Sequence, residues 1–333
     1  MKKYNVAILG ATGAVGREMI KVLAERDFPV NELKLLASAK SAGKKIMFKD
    51  REIEIEEACE TSFKGMNIVL GAASNELAKK FAPYIKEAGA VFIDNSSAFR
   101  MDPNVPLVVP EINPDDAFKH NGIVSNPNCS TIITLVAVNA INGLSEIKSM
   151  IASTYQAVSG AGAGGLTELS EQTKAIAEGN EIKSEVFPYQ IAENLIPHIG
   201  SFLDTAYTTE EMKMQNEGRK IMHLPELRVT CTCVRVPVLR SHSISVTVFT
   251  KDKVSTDAVK AAISAAKGCK LVDDPANKKY PMPLDTSDQD LVYVGRVRED
   301  LTFENGTTLF CCGDQIRKGA ATNAVQIAEL FVK

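Results

Sequence analysis

No apolar run in this 333-residue chain approaches the ~20 residues needed to span a bilayer. Neither sign of charge dominates. A formal net charge of −3 gives no electrostatic reason to expect a nucleic acid or an anionic membrane as partner. Any anion bound here must be held by a local group of basic residues. Cysteine is sparse and irregularly placed: Cys59, Cys129, Cys231, Cys233, Cys269, Cys311 and Cys312 are odd in number and form no disulfide framework. No CxxC pair occurs, which argues against structural zinc, and no metal site is expected. The start runs from Met-Lys-Lys straight into a strand pattern, without the architecture of a cleavable signal. The expected location is the cytoplasm, with thiols reduced.

What is present is an ordinary globular composition, 45% apolar and 24% charged. The length suits two domains of ~100–200 residues each. The first third alternates short apolar runs with helical patterns: strands at 4–9, 33–37, 67–70 and 90–93, helices at 17–26 and 76–88. Such alternation predicts βαβ units and a parallel sheet. Further on, 131–141, 166–177, 210–222 and 256–267 read as helices, and 150–158, 230–236 and 243–250 as strands. The expected fold is α/β: a Rossmann-type parallel-sheet domain over 1–128, completed by a C-terminal helical segment at 314–333, and an α+β domain over 129–313 on a mostly antiparallel sheet.

Gly10-Ala11-Thr12-Gly13-Ala14-Val15-Gly16 follows the first strand and opens a helix. Glycines there let the backbone approach a pyrophosphate at the partly positive helix N-terminus. The pattern alone is weak; its position after an N-terminal apolar strand makes it a dinucleotide site. The plainer alternative is a turn kept for tight strand–helix packing. Cofactor contacts are assigned to Gly10, Thr12, Gly13, Ala14 and Val15. An NAD site normally carries an acid at the end of the second strand. Here that strand runs into Ser38, Lys40 and Ser41, with no acid. Those groups suit a 2′-phosphate, so NADP is the expected cofactor. An incidental lysine in a solvated loop is the alternative.

Cys129 stands among polar residues immediately before an apolar helix. A helix N-terminus favours the thiolate, the form that attacks carbonyls. The other cysteines read as buried small apolar residues. Cys231 and Cys233 alternate on one face of a strand.

The segments GATGAVG, SNPNCST, QAVSGAGAGG, NEGRKIM, VRVPVLRSHS and GDQIRKGAA occur in an order that resembles the aspartate-semialdehyde dehydrogenases over nearly the whole chain. The resemblance implies a fold of two domains and a homo-oligomer joined through the second, dimeric at the least, with a homotetramer as the alternative. It implies catalytic roles for Cys129 as acyl-thioester nucleophile and His242 as general acid/base, with Gln156 orienting the substrate. A histidine titrates near neutrality and suits that role. Arg235 is matched to the residue binding the substrate α-carboxylate, where a guanidinium fork fits bidentately. Glu217 is matched to the partner of the substrate ammonium, and Arg100 and Lys220 to the phosphate site. Ser159 and Gly160 are matched to positions beside the nicotinamide, and Gln315 is assigned to the cofactor. A surface salt bridge is the bland alternative for Glu217 and Lys220. His120, His198 and His223 stay structural.

The implied reaction is reversible, NADPH-dependent reductive dephosphorylation of L-aspartyl 4-phosphate to the semialdehyde. That product stands at the branch toward lysine, threonine, methionine and isoleucine. Two rivals remain. An N-acetyl-γ-glutamyl-phosphate reductase would share the layout but leave Glu217 without an ammonium to face, and its cysteine motif carries glycine where this chain has Asn128. A non-catalytic dinucleotide-binding paralogue is expected to lose the cysteine or histidine, and both are present.

Overall fold

In the computed structural model, which describes residues 2–332, the chain divides into two compact units, 1–128 with 320–333, and 129–319. The first begins with β1 (Tyr4–Leu9), α1 (Ala14–Glu25), β2 (Val30–Ala37), β3 (Lys45–Phe48) and β4 (Arg51–Glu57). It continues with β5 (Ile68–Gly71), α2 (Asn75–Glu87), β6 (Val91–Asp94) and β7 (Ile123–Ser125). The sheet order is β3-β4-β2-β1-β5-β6-β7. Its ladders are parallel except the antiparallel edge pair β3·β4. Alternate residues of β1 feed two cores: Val6 and Ile8 pack with Met19, Leu23 and Leu35, Ala7 and Leu9 with Phe63, Phe81 and Phe92. A sheet covered on both faces explains why β1 reads as one apolar run. The chain order reverses about β1, with β2 on one side and β5 on the other. That is the switch point where doubly wound sheets bind ligands at the carboxyl ends of their strands.

The second unit holds α3 (Cys129–Asn142), β8 (Ile147–Gln156), α4 (Gly162–Glu178), α5 (Thr209–Ile221), β9 (Arg228–Arg235) and β10 (His242–Thr250). After these come α6 (Thr256–Ala265), β11 (Cys269–Leu271), α7 (Pro283–Thr286), β12 (Val292–Glu299) and β13 (Gly306–Gly313). The sheet order is β11-β12-β13-β10-β8-β9. Its inner ladders are antiparallel, with β8·β9 and β11·β12 parallel. The helix α3 lies against this sheet and between α5 and α6. Ile132, Ile133, Leu135, Val136, Val138 and Ile141 are all buried, each worth ~1.5–3 kcal/mol at most. That burial fixes where the first residue of α3, Cys129, stands.

The chain then rejoins the first unit at Ala320, not at Asp314 as the sequence suggested. Residues 314–319 stay with the second unit because Asp314 is tied there to Arg240, at 2.6 Å. A widened turn over Arg317–Ala321 leads into α8 (Thr322–Leu330). Asn323 anchors it by donating to the Val108 carbonyl (3.0 Å) and to Asn126 Oδ1 (2.7 Å).

Three helices begin earlier than their periodicity indicated: α1 at Ala14, α3 at Cys129 and α4 at Gly162. Their first turns consist of small or polar residues that carry no apolar period to read. The β3–β4 hairpin escaped for a related reason. It is an edge pair whose outward positions are exposed and, apart from Met47, charged. In β12 the alternation is broken by a register shift after Gly295, with Arg296 at φ 55°.

Candidate active site

Two groups of candidate residues emerge, one in each unit. In the first, the amides of Gly10 and Ala11 donate to the Leu36 carbonyl at 2.8 and 3.1 Å. This ties the glycine loop to the end of β2. Gly10 has φ 90°, and a Cβ on it would lie 2.4 Å from the Ala72 carbonyl oxygen. A Cβ on Gly16 would lie 2.2 Å from the Gly10 oxygen. Both glycines are therefore demanded by packing alone. Gly13 differs: its Cβ would meet only the Gly10 oxygen, at an ordinary 3.5 Å. Open space thus lies over the N-cap of α1, which has no capping side chain and no acid in its first turn. Such a start leaves Ala14 and Val15 amides for an anion and fits a pyrophosphate. The Thr12 carbonyl accepts from Arg17 Nε at 3.0 Å. Beyond β2, Ser38 precedes a single short turn, Ala39–Ser41, in which Lys40 is exposed. No carboxylate occupies this turn. Arg100 is buried and donates to the carbonyls of Asn126 (3.0 Å) and Asn95 (2.8 Å).

In the second unit, strand pairing gathers residues that are far apart in sequence. Gln156 at the end of β8 pairs with Arg235 at the end of β9. Ser243, next to His242, pairs with Tyr155. The strand ends converge on Ala157: its amide donates to His242 Nδ1 at 3.0 Å, and its carbonyl accepts from Arg235 at 2.7 Å. Among the described residues, that carbonyl is the one hydrogen-bond partner of the Arg235 side chain. Burial pushes the Arg235 pKa down, while Cys129 and Glu210 oppose that shift, so the thiol, the guanidinium and this carboxylate share one electrostatic neighbourhood. His242 is fully buried. Burial first, then the Arg235 charge, drops its pKa to about 3, with Glu210 acting the other way. Its Nε2 makes no hydrogen bond among the described residues. A Cβ on Gly160 would stand 3.0 Å from an Arg235 nitrogen and 3.4 Å from His242 Nε2. The bare glycine thus keeps that space open.

Gln156 is buried and fixed at both ends, accepting from Thr154 Oγ1 (2.9 Å) and donating to Glu210 Oε1 (3.3 Å). Glu217 is buried on α5, and Lys220 lies one turn further on the same helix. Cys129 is half-buried, and a Cβ on Gly319 would press to 2.8 Å from its own Cβ. Gln315 does not have a free amide: it accepts from the Ser241 N–H at 2.8 Å and donates to Ser159 Oγ. It braces the residue before His242, and Ser241 sits at φ 75°, where a non-glycine residue is strained. A cavity of 1150 Å³ lies elsewhere in this unit, against Met150, Ile151, Val229, Phe249 and Phe303. It includes no candidate residue.

Comparison with known proteins gives this geometry a family. The profile described as semialdehyde dehydrogenase, NAD binding domain, matches residues 5–120, and that described as semialdehyde dehydrogenase, dimerisation domain, matches 139–318. An aspartate-semialdehyde dehydrogenase of Aquifex aeolicus is 51% identical over 99% of this chain and 98% of its own. That of Bacillus subtilis is 48% identical over 99% and 97%. The crystal structure of aspartate semialdehyde dehydrogenase II complexed with ASA from Vibrio cholerae superposes with a TM-score of 0.97, at 44% identity, over 100% of this chain and 99% of that one. This chain belongs to the aspartate-semialdehyde dehydrogenase family.

For a member of that family, sequence reasoning missed several groups at the site. Glu210 touches Gln156 and influences both Arg235 and His242. It sits in a helix start beside Glu211, and nothing in its local pattern separates it from an ordinary first-turn acid. Ala157 and the Arg240–Asp314 pair carry no chemical signature either. Of the other cysteines, Cys231, Cys233, Cys311 and Cys312 are buried as expected, and burial pushes the Cys311 and Cys312 thiols up. Cys59 is a correction. It is exposed, at the start of a short helical turn, where the Ser62 and Thr61 hydroxyls hold its pKa below the usual thiol range. Cys269 is only half-buried, directed at the Val136 carbonyl (3.3 Å). Both lie near element boundaries, where apolar surroundings are incomplete. Among the described residues no group of acids, histidines and cysteines is arranged to hold a metal ion, and no helix is long and apolar enough to cross a membrane.

Proposed function

We propose that this chain catalyses the reversible NADPH-dependent reductive dephosphorylation of L-aspartyl 4-phosphate to L-aspartate 4-semialdehyde, with Cys129 forming an acyl thioester. The observation that carries the reading is the half-buried thiol opening α3, in a unit that also buries Arg235, Gln156 and His242 around Ala157. Helix dipole and guanidinium favour the thiolate over the thiol. Arg235 holds the α-carboxylate, its fork having spare donors. Glu217 faces the ammonium, and Gln156 orients the acyl group without titrating. Lys220 and Arg100 hold phosphate. The backbone at the start of α3 supplies N–H groups to the carbonyl oxygen as charge develops, and His242 is the general acid/base. The bound cofactor supplies the hydride; Gly10, Thr12, Gly13, Ala14 and Val15 seat its pyrophosphate, Ser38, Lys40 and Ser41 its 2′-phosphate. Ser159 and Gly160 leave room beside the nicotinamide. Gln315 serves the cofactor side through Ser159.

The reading also makes the protein a cytoplasmic homodimer or homotetramer of amino-acid biosynthesis, at the branch toward lysine, threonine, methionine and isoleucine. Support for the oligomer comes from the matched dimerisation profile and from exposed apolar side chains, Ile151, Leu203 and Phe303 among them, about the large cavity. The division between cofactor and catalytic domains follows the two units. An N-acetyl-γ-glutamyl-phosphate reductase is disfavoured by Asn128, where that family's cysteine motif carries glycine, and because its acetylated amine would give Glu217 no ammonium to face.

The test is a phosphorolytic assay. Aspartate 4-semialdehyde and phosphate are mixed with the protein and NADP, and absorbance of the reduced nicotinamide is followed. A phosphate-dependent rise is expected, at least ~1,000-fold slower in Cys129→Ala, which still binds NADPH. A rise with N-acetylglutamate semialdehyde alone would transfer the protein to the rival reaction.

A further inference from the structure

We propose that Glu168 and Phe187 are positioning residues for Arg235: the Glu168 carboxylate fixes the backbone of 185–187, and the Phe187 ring carried there keeps the guanidinium fork turned toward the substrate's α-carboxylate. The proposal rests on the substrate reading above and deepens it. Arg235 is buried, yet among the described residues the Ala157 carbonyl, at 2.7 Å, is the one hydrogen-bond acceptor of its side chain. One bond to a group with five N–H donors leaves the plane of the fork able to turn. The second restraint is the Phe187 ring, whose centroid lies 5.8 Å from Arg235 Cζ. A cation over a ring face is attracted by the ring's quadrupole, more strongly where water is excluded, and Phe187 is itself buried. The ring takes up no N–H. It orients the arginine without consuming a donor that the carboxylate needs.

Nothing regular holds Phe187 in place. Residues 181–190 belong to no helix or strand and, among the described residues, make no backbone-to-backbone hydrogen bond. Two side chains of α4, one turn apart, supply the partners instead. Glu168 accepts from the successive amides of Glu185 (2.8 Å), Val186 and Phe187 (3.2 Å). Gln172 accepts from the Ile191 and Ala192 amides (2.9 and 3.0 Å) and donates to the Lys183 carbonyl (2.8 Å). Glu168 is buried and, among the described residues, pairs with no cation. A carboxylate kept from water needs donors that replace its hydration, and three consecutive N–H groups form such a nest.

Apolar packing alone does not account for the pair. Phe187 joins a cluster with Val158, Leu169 and Ile191, and a leucine would cover those side chains as well. What a leucine lacks is a ring face to set against a guanidinium. The ring's edge reaches Gly165, where a Cβ would stand 3.1 Å from Phe187 Cζ, so the bare glycine gives the ring its room. The three bonds to Glu168 set the backbone of 185–187 and with it the direction in which the ring points. A carboxylate that touches no substrate thus bears on how tightly the substrate is held.

The experiment is steady-state phosphorolytic kinetics of Phe187→Leu, Glu168→Gln and Arg235→Gln, and of each of the first two combined with the third. Phe187→Leu is expected to raise the KM for aspartate 4-semialdehyde about 10-fold, the scale of a desolvated cation–π contact, with kcat and the KM values for NADP and phosphate within about twofold. Glu168→Gln keeps the shape but has one acceptor oxygen in place of two, and should raise the same KM by about 3–10-fold. On the Arg235→Gln background neither substitution should change kcat/KM by more than about twofold, because both act through the guanidinium. Melting curves establish that each variant is folded. A loss carried by kcat, or shared with the KM for NADP, is what disturbed packing gives, and it overturns the positioning role. So does a full loss repeated on the Arg235→Gln background. Should Phe187→Leu not fold, Glu168→Gln decides by the same split. A raised semialdehyde KM in Arg235→Gln beside an unchanged one in Phe187→Leu overturns the proposal and leaves the substrate reading standing. An unchanged KM in Arg235→Gln removes the carboxylate assignment of that arginine, and the proposal falls with it.

Discussion

Helices in this protein begin in two ways. The starts of α2 and α6 are capped by Ser74 and Ser255, whose hydroxyls accept from Leu77 (3.4 Å) and Ala258 (3.2 Å). That of α5 has the reciprocal Thr208–Glu211 pair, and all three carry acids in the first turn. The starts of α1, α3 and α4 carry none. Gly13 and Ala161, preceding α1 and α4, contribute no capping side chain. The capped starts satisfy their own amides and neutralise their own dipoles. The acid-free starts of α1, α3 and α4 keep a positive end for something else, and they coincide with the glycine loop, Cys129 and the SGAGAGG run; α8, also without a first-turn acid, continues directly from the Arg317–Ala321 turn. On the proposed function, stability is forgone where negative charge is to be received.

Placing a cap where the molecule omits one tests this most severely. Gly13 has φ −71° and ψ 167°, which an aspartate adopts without strain, and its Cβ direction is open. Gly13→Asp is therefore expected to leave thermal stability unchanged or raise it by a few tenths of a kcal/mol. NADPH affinity should fall on the order of 100-fold, because the new carboxylate meets the pyrophosphate. Calorimetric titration and a melting curve check both halves. A variant that binds NADPH normally would mean that the acid-free start of α1 has no bearing on anions.

A smaller effect is expected one strand away, at Lys40. It is exposed on the turn after β2, so its value to a 2′-phosphate is that of one charge-assisted contact, ~1–3 kcal/mol. Lys40→Asp should lower the NADP/NAD ratio of kcat/KM by roughly 10–100-fold, with stability unaffected. An unchanged ratio would place the 2′-phosphate contact elsewhere.

Much of this arrangement was legible before the fold. The apolar run of β1 and the glycines behind it announce the first unit because both cores draw on that strand. Cys129 stands out because polar neighbours interrupt an otherwise apolar stretch. What stayed hidden depends on partners distant in sequence. That His242 is buried, and that the Ala157 amide reaches its Nδ1, follow from β8, β9 and β10 ending together, which pairing register decides and local pattern does not. Glu210 looks like any helix-start acid until Gln156 arrives across 54 positions. Cys59 misled in the opposite direction: residue type suggested burial, but the turn that follows β4 leaves its sulfur in solvent beside two hydroxyls.

The least effect belongs to the capped class and gives the comparison its baseline. Ser255 caps α6, where Val259 and Ile263 are buried, and no candidate site residue lies on that helix. In Ser255→Ala the Ala258 amide loses its acceptor, with a cost of ~1 kcal/mol. For a chain of this length that shifts the melting temperature by only ~2–4 °C. The KM values for semialdehyde and cofactor should not move, since the lost hydroxyl serves the helix alone. A KM change in Ser255→Ala larger than the change in Gly13→Asp would reverse the assignment of which helix starts are structural and which receive ligands.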